Sequence, residues 1–486
     1  MTWLFESLER RLAQGGETHA IDAGIAGTIS YARLRHLTGA LAERLAGTGP
    51  VAILANRSAE AYLSVIACFR AGRSFVPLNP TFPLARLSKI AERSGAALCL
   101  FDPQYEELAE QIGLTSYPVM LSEDTTSNFQ PDFPSQSDVV YQLFTSGSTG
   151  QPKGVPVRHG ALCHYVAEII SAVGIKDEWR ATQFFDLSFD LAMHDIFVTL
   201  ATGGTIVPAS SFDLMMPHRF VEKNQIDIWF SVPLLALAAA RGQLAKPEEP
   251  RLRKALFCGE ALPGEYVAKM QTLMRPGGDI WNLYGPTEAT IAFTAHRCDE
   301  RDCQKPVVPL GIPFGDNQIA ALVNDTIMPL TQVNENEGEL LLAGPQLFSG
   351  YEPTTESSPF VTGADGQFYY RTGDLVRMVE GDICYLGRIG SQVKIRGHRV
   401  ELGEIEQACC SLEEVDAAVA VLAGDNANPV IMIAYQGRDG ADFTHLSATL
   451  PEYMLPRECR RFELLPTNSN GKLDRNTIRQ KLCANS

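Results

Sequence analysis

The chain has 486 residues, of which 45% are hydrophobic and 20% charged, and its formal net charge is −16. That length exceeds what one hydrophobic core organises, so two or three domains are expected in an ordinary globular protein. The acidic balance argues against nucleic acid or an anionic membrane as a partner.

The charge is uneven. Residues 391–486 hold eleven Lys/Arg against thirteen Asp/Glu, so most of the excess lies upstream. Eleven scattered cysteines show no metal-ligand spacing, and with no export signal they read as reduced cytoplasmic thiols. The N-terminal Thr2-Trp-Leu-Phe-Glu-Ser-Leu-Glu-Arg-Arg-Leu12 reads as an amphipathic helix. The longest apolar stretch, Trp229 to Ala240, contains Pro233 and is too short to span a bilayer.

In chain order, residues 1–50 carry two helical patterns, the second from Tyr31 to Leu45. Strands are then expected at 50–55, 74–78 and 97–101, alternating with helices at 59–71 and 83–94, which implies parallel sheet with covering helices. A polar, Pro-containing linker, 122–136, leads into the apolar run Val139–Phe144. Beyond it, Phe184 to Leu200 reads as a strand passing into a helix, with further strands at 227–232, 254–258 and 279–284. From about Pro306 short strands and turns suggest a β-rich subdomain (318–323, 338–343, 368–370, 375–379, 383–386). A compact α+β segment closes the chain, with strands at 393–395, 417–422 and 430–435 and helices at 403–411 and 474–482.

Between Phe144 and Val155 lies Thr145-Ser-Gly-Ser-Thr-Gly-Gln-Pro-Lys-Gly154. Glycines (Gly147, Gly150) and hydroxyl side chains with one lysine make a loop that can wrap a phosphate closely. It is not the common P-loop. Gly154 follows Lys153 where Ser or Thr is required, and Val155-Pro-Val157 is β-like, so a helix begins only near His159.

The loop is followed in order by Asn282-Leu-Tyr-Gly-Pro-Thr-Glu288, Gly338-Glu-Leu, Tyr370-Arg-Thr-Gly-Asp374, the run Gly387-Arg-Ile-Gly390 to Glu406, and Asn470-Gly-Lys472. This succession covers nearly the whole chain and closely resembles the adenylate-forming enzymes, in particular the amino-acid adenylation domains of nonribosomal peptide synthesis. The resemblance implies an α/β fold: a large N-terminal core, residues 1–387, with its β-rich subdomain at about 306–387, a hinge at 388–391, and a small mobile α+β domain, 392–486.

It implies two reactions with ATP and Mg²⁺. A carboxylate attacks the α-phosphate to give an acyl-adenylate and pyrophosphate, and a phosphopantetheine thiol on a carrier protein then takes the acyl group. By the same resemblance, Thr145, Ser146, Gly147, Ser148, Thr149, Gly150 and Lys153 hold the terminal phosphates. Thr287 contacts the α-phosphate, and Glu288 holds the metal. Asp374 takes the ribose hydroxyls with Arg388 nearby. Tyr284 offers a ring against adenine with the wall Gly259-Glu260-Ala261 beside it, and Asn282 and Gly285 belong to the same cofactor-binding set. Lys472 bridges carboxylate and phosphate oxygens during adenylation, and the face near Lys394 serves thioester formation after rotation about the hinge. The chain departs from the family at Gly390, where Asp or Lys is usual, so the hinge is expected to hold its two poses less sharply.

Phe189-Asp190-Leu-Ala-Met-His194 matches the segment in which amino-acid-activating members set an Asp on the substrate ammonium. Carrying over the rest of the pocket gives Leu191, His194, Ser231, Leu256, Cys258, Leu283, Ile291 and Ala292, a lining for a small or medium uncharged side chain. His194 reads equally as a core histidine bonded to a neighbour such as Asp195. Phe257-Cys258-Gly-Glu-Ala-Leu262 also resembles the D-alanine–carrier protein ligases, which makes that substrate the runner-up. An acyl- or aryl-CoA ligase is a further alternative, against which Asp190 speaks. No carrier or condensation motif occurs, so the expectation is a freestanding, monomeric, cytoplasmic ligase with an amino-acid substrate and a separate phosphopantetheinylated carrier protein.

Overall fold

The computed structural model describes residues 3–24, 27–121, 127, 129–131, 134–145, 152–236, 250–333, 337–354, 358–364, 366–390, 392–395, 397–424, 429–466 and 474–484. The chain divides into two compact units. One comprises Met1–Asn79, Ala91–Leu143 and Gly154–Gly387, the other Pro80–Ile90, Phe144–Lys153 and Arg388–Ser486.

Among the described residues, the first unit is built on three sheets. In one, the wholly buried strand Val51–Leu54 pairs in parallel with Phe75–Leu78 on one side and Leu98–Phe101 on the other. Continuous apolar strands of this kind need covering helices, and Ala59–Arg70, which follows the first of them in sequence, packs on this sheet. The second sheet is nine-stranded. At its centre Arg180–Gln183, Ile228–Ser231, Leu252–Phe257 and Met274–Tyr284 run parallel, in that order. The antiparallel strand Thr294–Arg297 follows.

The strand expected from Phe184 lies earlier, at Arg180–Gln183. Phe184 to Phe189 has a strand-like apolar pattern, but the Asp186 carboxylate accepts from the Ser188 amide (2.9 Å), and the Phe189 amide returns to the Asp186 carbonyl. That local turn outcompetes a ladder. Two strands near the N-terminus, His19–Asp22 and Thr28–Ser30, also join this sheet, in a region read as helical apart from them.

The third sheet carries the β-rich region. Phe368–Val379 is one twelve-residue strand rather than two short ones. It is continuous because an interruption in its pairing with Gly338–Ala343 is absorbed as a bulge: Glu339 pairs with Leu375, but Leu341 pairs with Arg371.

In the second unit a hairpin, Gln392–Ile395 with His398–Glu401, precedes the helix Leu402–Cys410. A three-stranded sheet (Val415–Ala423, Val430–Gly437, Glu458–Arg461) and the helix Arg475–Cys483 complete it. The terminal helix starts where Asp474 accepts from the Thr477 amide (3.1 Å), an ordinary N-cap. Ile395, Val400, Ile405 and Ile433 form its core. Among the described residues, no helix is long and apolar enough to cross a membrane.

Candidate active site

The site in the first unit forms where parallel strands end. Register places Phe230 beside Leu256 and Leu256 beside Trp281, so Ser231, Cys258 and Tyr284 leave the sheet at one edge. Crevices beyond the carboxyl ends of parallel strands are where open α/β sheets bind ligands. Asp190 comes from another direction, as the residue preceding the interior helix Leu191–Ala201, in which every side chain is buried.

Between Tyr284 and Thr294 the chain makes a tight loop whose backbone is unusual. Thr290 has φ +57° and Ile291 φ +70°, a left-handed conformation that is costly for β-branched side chains. Gly285 is required for the loop to close, since a Cβ there would lie 2.7 Å from Ala292 Cα. The strained segment is held by Gln346, which is fully buried. Its Nε2 donates to the carbonyls of Ala289 (3.1 Å), Thr290 (3.3 Å) and Ala292 (2.7 Å). Its Oε1 accepts from Asn317 Nδ2 (2.7 Å) and lies 3.1 Å from His164 Nδ1. The Thr290 hydroxyl in turn donates to the Gln346 carbonyl (2.7 Å). Sequence reasoning missed Gln346. An uncharged residue inside a β-rich stretch carries no chemical signature of its own.

This loop delivers Thr287, Glu288 and the Ile291 backbone to Asp190. Burial raises the Asp190 carboxyl to about 7; the Thr287 hydroxyl lowers it, the Glu288 carboxylate raises it further, and the Ile291 and Leu191 amides lower it. Asp190 Oδ2 is buried and, among the described residues, has no hydrogen-bond partner. A buried acceptor left in that state fits a cationic ligand.

Glu288 is fully buried and accepts from the Tyr351 hydroxyl (2.6 Å). One carboxylate, with phosphate and water oxygens completing the shell, is the donor set Mg²⁺ accepts in nucleotide enzymes, so these residues fit that ion. Among the described residues no group of three or more potential metal-ligating side chains occurs.

Asp374 owes its position to the bulge. Glu339 Oε1 accepts from the Gly373 amide (3.0 Å), while Oε2 accepts from Arg371 (2.6 Å). Thr372 donates to the Leu340 carbonyl (2.7 Å), and its oxygen accepts from the Asp374 amide (2.9 Å). Gly373 sits at φ +71°, where glycine carries no penalty. The bulge brings Asp374 to Tyr284, whose hydroxyl donates to Asp374 Oδ2 (2.6 Å). The two motifs Gly338-Glu-Leu and Arg371-Thr-Gly-Asp374 are thus one structural device.

Three of the expected residues have protein partners of their own. Asn282, expected at the cofactor, donates its amide to the Pro309 carbonyl (2.8 Å). The Ser231 hydroxyl accepts from Trp229 Nε1 (2.7 Å) and donates to the Val232 carbonyl (2.9 Å), so burial beside an indole has claimed the polar group expected for substrate. His194 is bonded to Tyr165 rather than Asp195: Tyr165 Oη lies 2.6 Å from His194 Nδ1. The helical spacing of neighbouring residues 194 and 195 turns their side chains to different faces.

Leu191, Leu256, Cys258, Leu283, Ile291 and Ala292 all belong to the one buried cluster of this region. Gly259, at φ +93°, brings the backbone against the same side chains, since a Cβ there would lie 3.6 Å from Leu191 Cδ1. Glu260 and Ala261 follow it at the strand exit, Glu260 half-buried and Ala261 exposed. Thr145, Lys153, Arg388 and Lys394 belong to the second unit, with Lys394 opposite Arg399 in its hairpin. Ser146, Gly147, Ser148, Thr149, Gly150 and Lys472 lie outside the described residues.

Residues 8–352 match the profile of the family described as AMP-binding enzyme. The chain belongs to the AMP-binding enzyme family. It is 33% identical over 482 residues to tyrocidine synthase 3 of Brevibacillus parabrevis, matching over 93% of its own length but spanning only 7% of that protein. It is 29% identical to the D-alanine–D-alanyl carrier protein ligase of Bacillus cereus (strain G9842), covering 94% of this chain and 95% of that one. Among solved structures, the Vibrio cholerae adenylation domain AlmE, in complex with glycyl-adenosine-5′-phosphate, superimposes with a TM-score of 0.88 at 26% identity, over 99% of this chain and 98% of that one. This AMP-binding enzyme therefore has the adenylation-domain fold, with its large N-terminal and small C-terminal parts, and is by class an AMP-forming ligase.

Proposed function

We propose that this enzyme activates an amino acid with ATP and passes the aminoacyl group to the phosphopantetheine thiol of a separate carrier protein. In the first step a substrate carboxylate oxygen bonds to the α-phosphorus, and the bond from that phosphorus to the bridging oxygen of pyrophosphate breaks. In the second, the thiol sulfur bonds to the acyl carbon, its proton is lost, and AMP departs. Asp190 carries the reading: a buried carboxylate with one oxygen unpartnered suits a substrate ammonium and would penalise a fatty or aryl acid.

The remaining assignments follow from the same reading. Thr287 faces the α-phosphate, and Glu288 holds Mg²⁺, which neutralises phosphate charge when bound. Asp374, placed by the Glu339 bulge, takes the ribose. The loop around Ser148 and Lys153 takes the departing pyrophosphate. Lys472 supplies a point charge where negative charge develops. Residues 392–486 act as a mobile domain about a hinge at 388–391, and the enzyme works in the cytoplasm.

A second reading keeps the chemistry and fixes the substrate as D-alanine. Cys258 in the pocket wall and a D-alanine–carrier ligase relative matching end to end favour it. Pyrophosphate release, screened over L- and D-amino acids with Lys472→Ala and Asp190→Ala as controls, tests both. Release that depends on one amino acid and disappears in both variants is expected. No release with any amino acid overturns the proposal, and release with coenzyme A as sole effective thiol acceptor overturns the carrier assignment.

A further inference from the structure

The far end of the amino-acid site is made by a pair that only the fold brings together. Tyr165, on the helix His159–Val173, lies 2.6 Å through its hydroxyl from His194 Nδ1, on the helix Leu191–Ala201. Tyr165 is fully buried, His194 is 2% exposed, and the imidazole packs on Phe230 with ring centroids 4.2 Å apart. Burial lowers the imidazole pKa to about 3 and lifts the phenol well above its ordinary value, so both rings are neutral.

Two tautomers fit that distance. If Nδ1–H donates to the phenol oxygen, the phenol O–H is left without an acceptor among the described residues. If the phenol O–H donates to Nδ1, both atoms of the pair are satisfied and the ring hydrogen sits on Nε2. Buried polar groups favour the arrangement with fewer orphans, so the second holds. The Ser231 hydroxyl does not compete for a substrate side chain, because it is engaged at both ends.

Size is constrained separately. Leu191, His194, Ser231, Leu256, Cys258, Leu283, Ile291 and Ala292 are each no more than 3% exposed. A lining this closed disfavours a side chain as large as leucine or phenylalanine.

We propose, resting on the amino-acid reading above, that Tyr165 is a specificity-determining positioning residue. It fixes His194 as the Nε2–H tautomer, and the site therefore selects a side chain of no more than about two heavy atoms whose outer atom accepts a hydrogen bond. Serine meets that description; alanine of the same configuration fills the space but leaves the N–H unpaired.

The test is pyrophosphate release by the full chain with glycine, both enantiomers of alanine and serine, L-valine and L-leucine, repeated with Tyr165→Phe. For the natural protein, serine is expected to exceed alanine of matching configuration roughly tenfold in kcat/KM, the worth of one neutral hydrogen bond, with the difference in KM. Leucine is expected roughly a hundredfold or more below serine. In Tyr165→Phe the ring of His194 loses its fixed tautomer, and the serine-to-alanine ratio falls towards one. Alanine equal to or above serine in the natural protein, or leucine within tenfold of serine, overturns the inference. So does an unchanged ratio in the variant. If Tyr165→Phe does not fold, the natural protein's own ratios decide. Failure with every amino acid would instead overturn the functional reading, and so the two failures are distinct.

Discussion

The side-chain amide of Gln346 donates to the carbonyl of Ala292 at 2.7 Å, across more than fifty residues of sequence. Ala292 ends the left-handed stretch at Thr290 and Ile291, and Gln346 is what stops that stretch from relaxing. Gln346→Leu would leave the Ala289 and Ala292 carbonyls without this donor, while that of Thr290 keeps the Ala292 amide. We expect a stability loss of about 2–4 kcal/mol in chemical denaturation. We also expect a kcat/KM for pyrophosphate release reduced by roughly two orders of magnitude, because Thr287 and Glu288 ride on the same loop. A variant with full stability and full activity would remove Gln346 from the account.

Asp190 gives a pH prediction. Its carboxyl titrates at about 7 instead of the ordinary 3.8. An ammonium ligand needs the ionised form, so KM for the amino acid should rise roughly tenfold per pH unit below 7, where protonation competes, and level off above it. A plot flat from pH 5.5 to 8 would contradict this.

The same shift has the opposite sign for stability. A carboxyl whose pKa rises on folding is bound to its proton more tightly in the native state. Its contribution to stability is greatest below the ordinary value of 3.8, declines as pH rises to about 7, and stays unfavourable above. Asp190→Asn should therefore melt higher than the natural protein at pH 8, by several degrees, while losing amino-acid-dependent turnover. Measured at pH 4 the two should nearly coincide. Equal melting temperatures at pH 8 would show that the buried charge is compensated.

Glu339→Gln should act on the nucleotide and leave the amino acid alone. Glutamine keeps one acceptor for the Gly373 amide but loses the charged pairing with Arg371. Asp374 would then be held less well against Tyr284. KM for ATP is expected to increase roughly tenfold with KM for the amino acid unchanged, read from two-substrate kinetics. Parallel rises in both constants would mean that the bulge supports the whole domain instead.

The proposed hinge gives a prediction at Gly390. It stands at φ +92° with nothing within 4 Å of the place a Cβ would occupy, so there is space for a side chain but not a comfortable backbone. Gly390→Asp is expected to shift the balance of the two half-reactions through backbone conformation, slowing adenylation and thioester formation unequally. Unchanged rates of both, measured by pyrophosphate release and by carrier loading, would exclude a hinge role for this residue.

Alternation of apolar runs and helical patterns was enough to read the parallel core, because strands such as Val51–Leu54 are buried on both faces and show it in their residues. Local turn chemistry was harder. The Asp186 turn displaced a strand that the apolar pattern had extended into Phe184 and Phe185. In the candidate site, Asp190, Glu288 and Asp374 were singled out by the order of motifs and the resemblance it carries, and the fold buries all three carboxylates. Residues that act by holding others were not. Gln346 and Tyr165 reach the site from segments remote in sequence, and nothing in their immediate neighbours announces it.

The bulge at Gly373 also constrains how this chain can vary. Glu339 and Gly373 form one contact, and each makes sense only with the other: the glycine's conformation presents an amide, and the carboxylate receives it. Substitution at either position alone exposes a cost at its partner, whereas a paired change can find a new solution. The two sites should therefore drift together among descendants of this sequence, and a lineage that gives up the glutamate should soon give up the glycine. Asp374, one residue on, would have to be anchored some other way.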